Sequence, residues 1–173
     1  GVYELLGDIN GFTLYDPEKM IDYSNTPPSA RYAFTFWAFP RKDWVKNLQD
    51  YVAFADQHFR QFGFRCNMPL GSYFIRQDTN SLLSYTFNGD VISLDPIHAP
   101  GEHDTAAWQR FLRDFNEWAH ARGGVPLLNQ SPFVTRQHVA DAYGDRWRKL
   151  SDWVRSIDPD RRMVNQFFAD LLV

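Results

Sequence analysis

The sequence predicts an α+β domain in which an antiparallel sheet of about four or more strands is flanked by helices in a ferredoxin-like arrangement. Apolar residues recur at helical spacing in three separate stretches, and β-forming residues fill the stretches between them. The predicted order is strand, helix, three strands, helix, helix. With 173 residues, the chain is long enough for one domain with a hydrophobic core.

The first predicted strand follows a connecting segment. Residues 1–30 are punctuated by Gly, Asp and Pro, so they are assigned to a connecting segment, and residues 31–173 to the domain itself. The text "RYAFTFWAF" from Arg31 is apolar on both faces, as in a central strand that is covered on both sides. Pro40 is expected to close this strand.

The first predicted helix covers residues 44–62, where Trp44, Leu48, Tyr51 and Ala55 recur at helical spacing. Asp43 is the expected N-cap, and Gly63 the expected C-terminal stop.

A β-hairpin is predicted around Asn88 and Gly89, since a type I′ turn requires positive φ at both central residues. Its register would place Tyr85 opposite Ile92. One face of the hairpin would then be apolar and covered by helices, and the other would be mixed.

Two further helical regions complete the prediction. One begins at the N-cap Asp104 and stops at Gly123, and the other begins at Thr135 and ends before Asp158. Gly144 is expected to divide the second region into two helices.

Charge and composition exclude several classes of protein. The net charge of −3 and the pI near 5.9 do not favour nucleic-acid binding, and no apolar run is long enough to cross a bilayer. The single cysteine, Cys66, permits no internal disulfide and is expected to be a buried thiol. The sequence does not identify the cellular compartment, although the cytoplasm is favoured. The chain does not begin with Met, which suggests a fragment of a longer protein.

No metal site is predicted. The loop "DPIHAPGEHD" offers carboxylates and imidazoles, from Asp95 and His98 to Asp104, but their spacing matches no known site. His58, His120 and His138 lie on predicted helices and are expected to be solvated or hydrogen-bonded. The basic residues from Arg146 to Arg162 are expected to form a solvated face. Nucleophile-elbow, phosphate-binding-loop and dinucleotide-binding motifs are missing from the sequence.

Three stretches resemble flavin-linked oxidases of the vanillyl-alcohol oxidase superfamily. "YGDRWRKLSDWVRSIDPDRRMVNQFFADLL" is similar to the C-terminus of these enzymes. "ARGGVPLLNQSP" and "YFIRQD" resemble segments of the sugar-lactone and alditol oxidase branch that lead into the active site. The resemblance implies a substrate-binding cap domain, with FAD held mainly by a separate domain that has no counterpart in this sequence.

The resemblance also implies roles for individual residues. Arg76 matches a strand arginine that stabilises negative charge on reduced flavin or on substrate, and Asn165 matches an asparagine near the flavin ring. Phe74 stands where the branch often has a glutamate, and Asn129 and Gln130 stand where it has Gly-Lys. These three positions are the expected substrate contacts. They lack the charged side chains of the branch, which favours a less polar alcohol or a polar planar molecule as the substrate.

Structural roles compete with these assignments. Arg76 could pair with Asp78 or extend from the sheet, Gln130 could be a satisfied loop amide, and Asn165 could cap the helix that follows it. The function expected is the cap domain of an FAD-dependent oxidoreductase, inactive alone, whose partners are the FAD-binding domain and a small-molecule substrate. A homodimer is a further expected assembly, and the alternative function is a stand-alone binding or oligomerisation module without activity.

Overall fold

The structure, a computed structural model, describes residues 33–99 and 105–172. The predicted connecting segment and the predicted N-cap Asp104 lie outside the described residues. The strands are β1 (Ala33–Phe34), β2 (Trp37–Pro40), β3 (Phe74–Ile75), β4 (Val91–Leu94), β5 (Ile97–His98) and β6 (Val125–Pro126). The helices are α1 (Trp44–Phe62), α2 (Thr105–His120), α3 (Arg136–Tyr143), α4 (Asp145–Ile157) and α5 (Gln166–Leu172).

The main sheet is antiparallel and has the strand order β3-β4-β2-β6. Helix α1 connects β2 to β3, and α2 connects β4 to β6. This order and these connections are those of the ferredoxin-like β-α-β-β-α-β unit, which confirms the predicted fold class. Strands β1 and β5 form a separate two-stranded antiparallel sheet, and α3 to α5 follow the unit.

Aromatic rings fill the core between the main sheet and its helices. Trp37 and Phe39 of β2 share one face of the sheet and are fully buried. Along α2, the rings of Phe111, Phe115 and Trp118 stack in sequence with centroids 6.2 and 5.5 Å apart. The high aromatic content is therefore used largely to fill the helix–sheet interface.

Two predictions about strands were wrong in detail. The strand expected at residues 31–39 is divided into β1 and β2, with Thr35 and Phe36 between them. No hairpin forms at Asn88 and Gly89, because the residues before Asn88 form turns and β4 pairs with β3 instead. Ile92 therefore lies opposite Phe74 rather than Tyr85.

Side-chain hydrogen bonds explain why the predicted hairpin fails. The hydroxyl oxygens of Ser84 and Thr86 accept hydrogen bonds from backbone N–H groups nearby, at 3.3 and 2.9 Å. Arg146 donates to the carbonyl oxygens of Leu82 and Ser84, both at 2.8 Å, and its guanidinium lies 4.3 Å from the centroid of the Phe87 ring. These bonds compete with a strand ladder, and Arg146 anchors a loop instead of belonging to a solvated face as predicted.

Most predicted helix ends are confirmed. Gly63 ends α1 with φ +69°, and Gly144 separates α3 from α4 with φ +55°. Thr135 caps α3 through a capping box with His138. Asp43 occupies the N-cap position of α1 but makes no side-chain hydrogen bond there.

No helix in the described part of the chain is long and apolar enough to cross a membrane. Cys66 is half-buried, and burial raises the pKa of its thiol to about 12, so it is protonated at neutral pH.

Candidate functional site

A groove of about 590 Å³ lies where β1, the loop after β6 and the start of α5 meet. We call it the amide groove, because three carboxamide side chains line it. The other lining residues in the described part of the chain are mostly apolar, and none of these is charged. The lining consists of Ala33, Phe34, Leu128, Asn129, Gln130, Ser131, Pro132, Asn165, Phe167 and Phe168.

The structure brings Asn129, Gln130 and Asn165 together in this groove, although 35 residues separate Gln130 from Asn165 in the sequence. Within the described residues, the side chains of Asn129 and Gln130 have no hydrogen-bond partner. Asn165 Oδ1 accepts a hydrogen bond from the N–H of Phe168 at 3.0 Å and so caps α5. Asn165 therefore has the predicted capping role and also lines the groove, with its Nδ2 donor available.

Buried hydrogen bonds hold the loop that carries Asn129 and Gln130. Gln130 N–H donates to the carbonyl oxygen of Leu127 at 2.9 Å and closes a turn. Ser131 Oγ donates to the carbonyl oxygen of Phe36 at 2.6 Å, which ties the loop to the residue just before β2. Since Ser131 is almost fully buried, this bond is well shielded from water.

Asn116 of α2 supports the same loop from the core. Its Oδ1 accepts a hydrogen bond from Trp37 Nε1 at 2.9 Å, and its Nδ2 donates to the carbonyl oxygen of Pro132 at 2.8 Å. The Asn116 side chain is fully buried. Sequence reasoning missed Asn116 and Ser131, but an asparagine on the apolar face of α2, four residues after Leu112, was a usable signal.

Phe74 and Arg76 lie outside the amide groove. They belong to β3 and to the residue just after it, at one edge of the main sheet, whereas β6 and the groove loop lie at the opposite edge. Three strand spacings of roughly 4.8 Å separate β3 from β6, or about 14 Å. The structure thus divides the predicted site residues into a groove set and an edge set.

The edge set is open to solvent. The Phe74 side chain is 50% exposed, and the Arg41 guanidinium lies 4.9 Å from the centroid of its ring. Arg76 is exposed and has no ion-pair partner among the described residues. The competing pairing with Asp78 is not formed, since Asp78 Oδ1 accepts hydrogen bonds from the N–H and Nδ2 of Asn80 instead.

The predicted surface loop with metal-ligand residues is partly buried. Asp95 and His98 are 4% and 2% exposed, so neither lies on an open loop as expected. Burial raises the pKa of Asp95 to about 7, and the hydrogen bond from Ser93 Oγ at 3.2 Å partly opposes this shift. Glu102, His103 and Asp104 lie outside the described residues.

The helical histidines differ from one another. His120 is half-buried and lies 2.9 Å from Asp141 Oδ2, as expected for a hydrogen-bonded histidine. His138 is buried and hydrogen-bonded, which fits the expectation, since its Nδ1 accepts a hydrogen bond from the N–H of Thr135 at 3.2 Å. His58 is buried instead of solvated. His58 is enclosed by aromatic rings, with Nε2 3.3 Å from Asp114 Oδ2.

The donors in the amide groove suit a ring ligand better than a phosphate. Carboxamides with open hydrogen-bonding positions, next to the rings of Phe34, Phe167 and Phe168, fit a planar, uncharged group such as a flavin ring edge or a substrate. A diphosphate requires cationic side chains or clustered N–H groups, and none of the described residues that line the groove has a cationic side chain. The residues present therefore fit the ring part of FAD and not its phosphates.

Comparison with known proteins identifies the family of the chain. A family model described as D-arabinono-1,4-lactone oxidase matches residues 21–171. The match spans nearly all of the region assigned to the cap domain, so the resemblance proposed from the sequence is confirmed. No curated protein matches the chain significantly.

Proposed function

Because this chain belongs to the D-arabinono-1,4-lactone oxidase family, a family of FAD-linked oxidases, we propose that it is the substrate-binding cap domain of an FAD-dependent oxidoreductase. The substrate is an alcohol-like or related small organic molecule, and its partner domain in the longer protein holds most of the FAD. The flavin supplies the hydride chemistry, and the cap supplies shape, orientation and charge. Family membership does not favour the alternative of a stand-alone binding module.

The amide groove is the observation that carries this proposal. It is large enough for a small organic ligand, and its described lining residues offer carboxamides beside aromatic rings and include no charged side chain. An acidic or strongly cationic substrate would lose its hydration there without gaining a counter-charge. The proposed substrate is therefore uncharged and is oriented by hydrogen bonds from Asn129, Gln130 and Asn165.

Changing Gln130 to alanine is expected to raise KM by about fivefold to tenfold, on the scale of one net hydrogen bond, with a smaller effect on kcat. The reason is that the side chain binds substrate in the ground state and the transition state alike. Steady-state kinetics of the longer enzyme would measure the change. Gln137→Ala is the matched control, because Gln137 lies on α3 outside the groove and should leave KM unchanged. An unchanged KM for Gln130→Ala would remove Gln130 from the site.

Arg76 is proposed to stabilise negative charge that develops on substrate oxygen or on reduced flavin. Its guanidinium is exposed and has no carboxylate partner among the described residues, so its charge is available to a ligand or a neighbouring domain. An arginine remains protonated at any working pH and can stabilise an anion through two parallel hydrogen bonds.

Replacing Arg76 by alanine is expected to slow flavin reduction by substrate at least about tenfold, on the scale of losing one preorganised charge contact. Stopped-flow absorbance of the longer enzyme would measure the rate. The matched control is Arg148→Ala, since Arg148 is an exposed arginine on α4 whose ion pair is with Asp145 on the same helix. If Arg76→Ala lowered the unfolding midpoint while sparing the reduction rate, Arg76 would be structural.

The proposal as a whole is tested on the full-length natural protein that contains this chain. We expect the purified protein to be yellow and to release FAD on gentle denaturation, and we expect the 173-residue chain alone to be inactive. A colourless longer protein without FAD would contradict the proposal.

A further inference from the structure

We propose that the junction of α2 and α3 binds one divalent transition-metal ion, for which Zn²⁺ is the best fit. The site consists of Glu117 and His120 on α2 and His138 and Asp141 on α3. We call these four residues the helix-junction site. It lies apart from the amide groove, and it does not depend on the proposed function.

The sequence spacing places the four side chains on facing surfaces. Glu117 and His120 are three residues apart on α2, and His138 and Asp141 are three residues apart on α3. Residues three apart on a helix lie on the same face. Each helix therefore presents one carboxylate and one imidazole to the other.

The side chains already contact one another across the junction. His138 Nε2 lies 3.1 Å from Glu117 Oε1, and His120 Nε2 lies 2.9 Å from Asp141 Oδ2. One ligand atom each from Glu117, His120 and His138 can be chosen so that all three lie within 4.8 Å of one another. Ligand atoms around tetrahedral zinc are roughly 3.4 Å apart, so rotations of the exposed Glu117 side chain would close most of the difference.

The donor set suits zinc chemically. Imidazole nitrogen and carboxylate oxygen are both common zinc ligands, and two carboxylates balance the two positive charges of the ion. His138 is buried and held by its neighbours, whereas Glu117 and Asp141 are largely exposed, which gives the ion a route from solvent. A partly fixed histidine with mobile carboxylates is a suitable starting arrangement for metal capture.

Binding has identifiable costs. The carboxylate oxygens of Asp141 accept hydrogen bonds from Gln137 Nε2, both at 2.8 Å, and metal coordination competes with these bonds. A further cost lies at His138. His138 Nδ1 accepts a hydrogen bond from the N–H of Thr135 at 3.2 Å, which leaves the ring proton on Nε2. Coordination through Nε2 requires that this proton leave and that Nδ1 carry one, which breaks the bond to Thr135. Losing one capping hydrogen bond lowers the zinc affinity by about tenfold. Coordination by several protein ligands at once raises that affinity by many powers of ten.

The test is a titration of the chelator-treated 173-residue chain with ZnCl2, followed by isothermal calorimetry. We expect one ion to bind with a Kd below about 1 μM, and Co²⁺ in its place to give the visible absorption of a tetrahedral complex. Glu117→Gln and His120→Asn should each weaken zinc binding at least about tenfold, on the scale of losing one metal ligand. Both changes lie on partly exposed side chains, so the variants should remain folded.

Asp114→Asn is the matched control. Asp114 lies on the same helix, its replacement removes the same charge as Glu117→Gln, and it faces His58 instead of the helix-junction site. We expect zinc affinity to be unchanged in this variant. No binding at 100 μM ZnCl2, or equal losses in Glu117→Gln and Asp114→Asn, would overturn the proposal, because the four side chains would then form only a hydrogen-bonded contact between two helices.

Discussion

Replacing Asn116 by alanine is expected to lower the free energy of unfolding by about 1.5–4.5 kcal/mol. The substitution leaves the buried indole N–H of Trp37 without a partner and breaks the bond to the carbonyl of the half-buried Pro132, which Asn116 now bonds at 2.9 and 2.8 Å. The unsatisfied buried indole costs about 1–3 kcal/mol, and the lost bond to Pro132 costs about 0.5–1.5 kcal/mol. Urea denaturation followed by tryptophan fluorescence would measure the loss.

Asn129→Ala is the matched control for Asn116→Ala. It removes the same carboxamide from an exposed position in the loop that Asn116 supports, so the free energy of unfolding should change by less than about 0.5 kcal/mol. In addition, Asn116→Ala should weaken ligand binding in the amide groove, since Pro132 lines that groove. A free energy of unfolding equal to that of the control would show that the two bonds from Asn116 contribute nothing.

The helices were predictable because their determinants are local. The apolar spacing of residues 44–62, the left-handed Gly63 and the Thr135 cap act within a turn or two of the chain. The absence of a hairpin at Asn88 and Gly89 was not predictable. The carbonyl groups of the expected first strand accept hydrogen bonds from Arg146, which is more than 60 residues away from Leu82 and Ser84. A local turn sequence carries no information about a distant side chain that donates hydrogen bonds to the carbonyl groups of the strand.

The candidate site was predictable only in part, for the same reason. Resemblance identified Asn129, Gln130 and Asn165, and the structure brings them into one groove. Resemblance also identified Phe74 and Arg76, but their distance from the groove follows from the strand order β3-β4-β2-β6, which the sequence does not state. Asn116 was missed because its partner Trp37 is 79 residues away.

Replacing Asp95 by asparagine is expected to stabilise the protein at pH 8 by up to about 4 kcal/mol and to change its stability little near pH 4. Asp95 is 4% exposed, and burial raises its pKa from 3.8 to about 7. The buried carboxyl group is therefore protonated in the folded protein at a pH where the unfolded chain has already ionised it.

The direction of the pH dependence follows from proton counting. Between pH 4 and pH 7 the folded protein holds a proton on Asp95 that the unfolded chain has released, so unfolding releases a proton and becomes easier as pH rises. The stability that the protonated Asp95 contributes is fully present below the pKa of aspartate in the unfolded chain. It is lost as the pH rises through about 7, the pKa of Asp95 in the folded protein. An asparagine at this position does not ionise and removes that part of the slope.

The measurement is the free energy of unfolding of both proteins from urea titrations at several values between pH 4 and pH 8. Asp56→Asn is the matched control, because Asp56 is an exposed carboxylate paired with Arg60 on α1, and its replacement should leave the slope of the natural protein unchanged. Parallel pH profiles for Asp95→Asn and the natural protein would mean that Asp95 is ionised in the folded state. In that case the unpartnered Oδ1 of Asp95 would have to be hydrated in solution. A flatter profile for Asp95→Asn alone would establish that burial raises the pKa of the Asp95 carboxyl group in the folded protein.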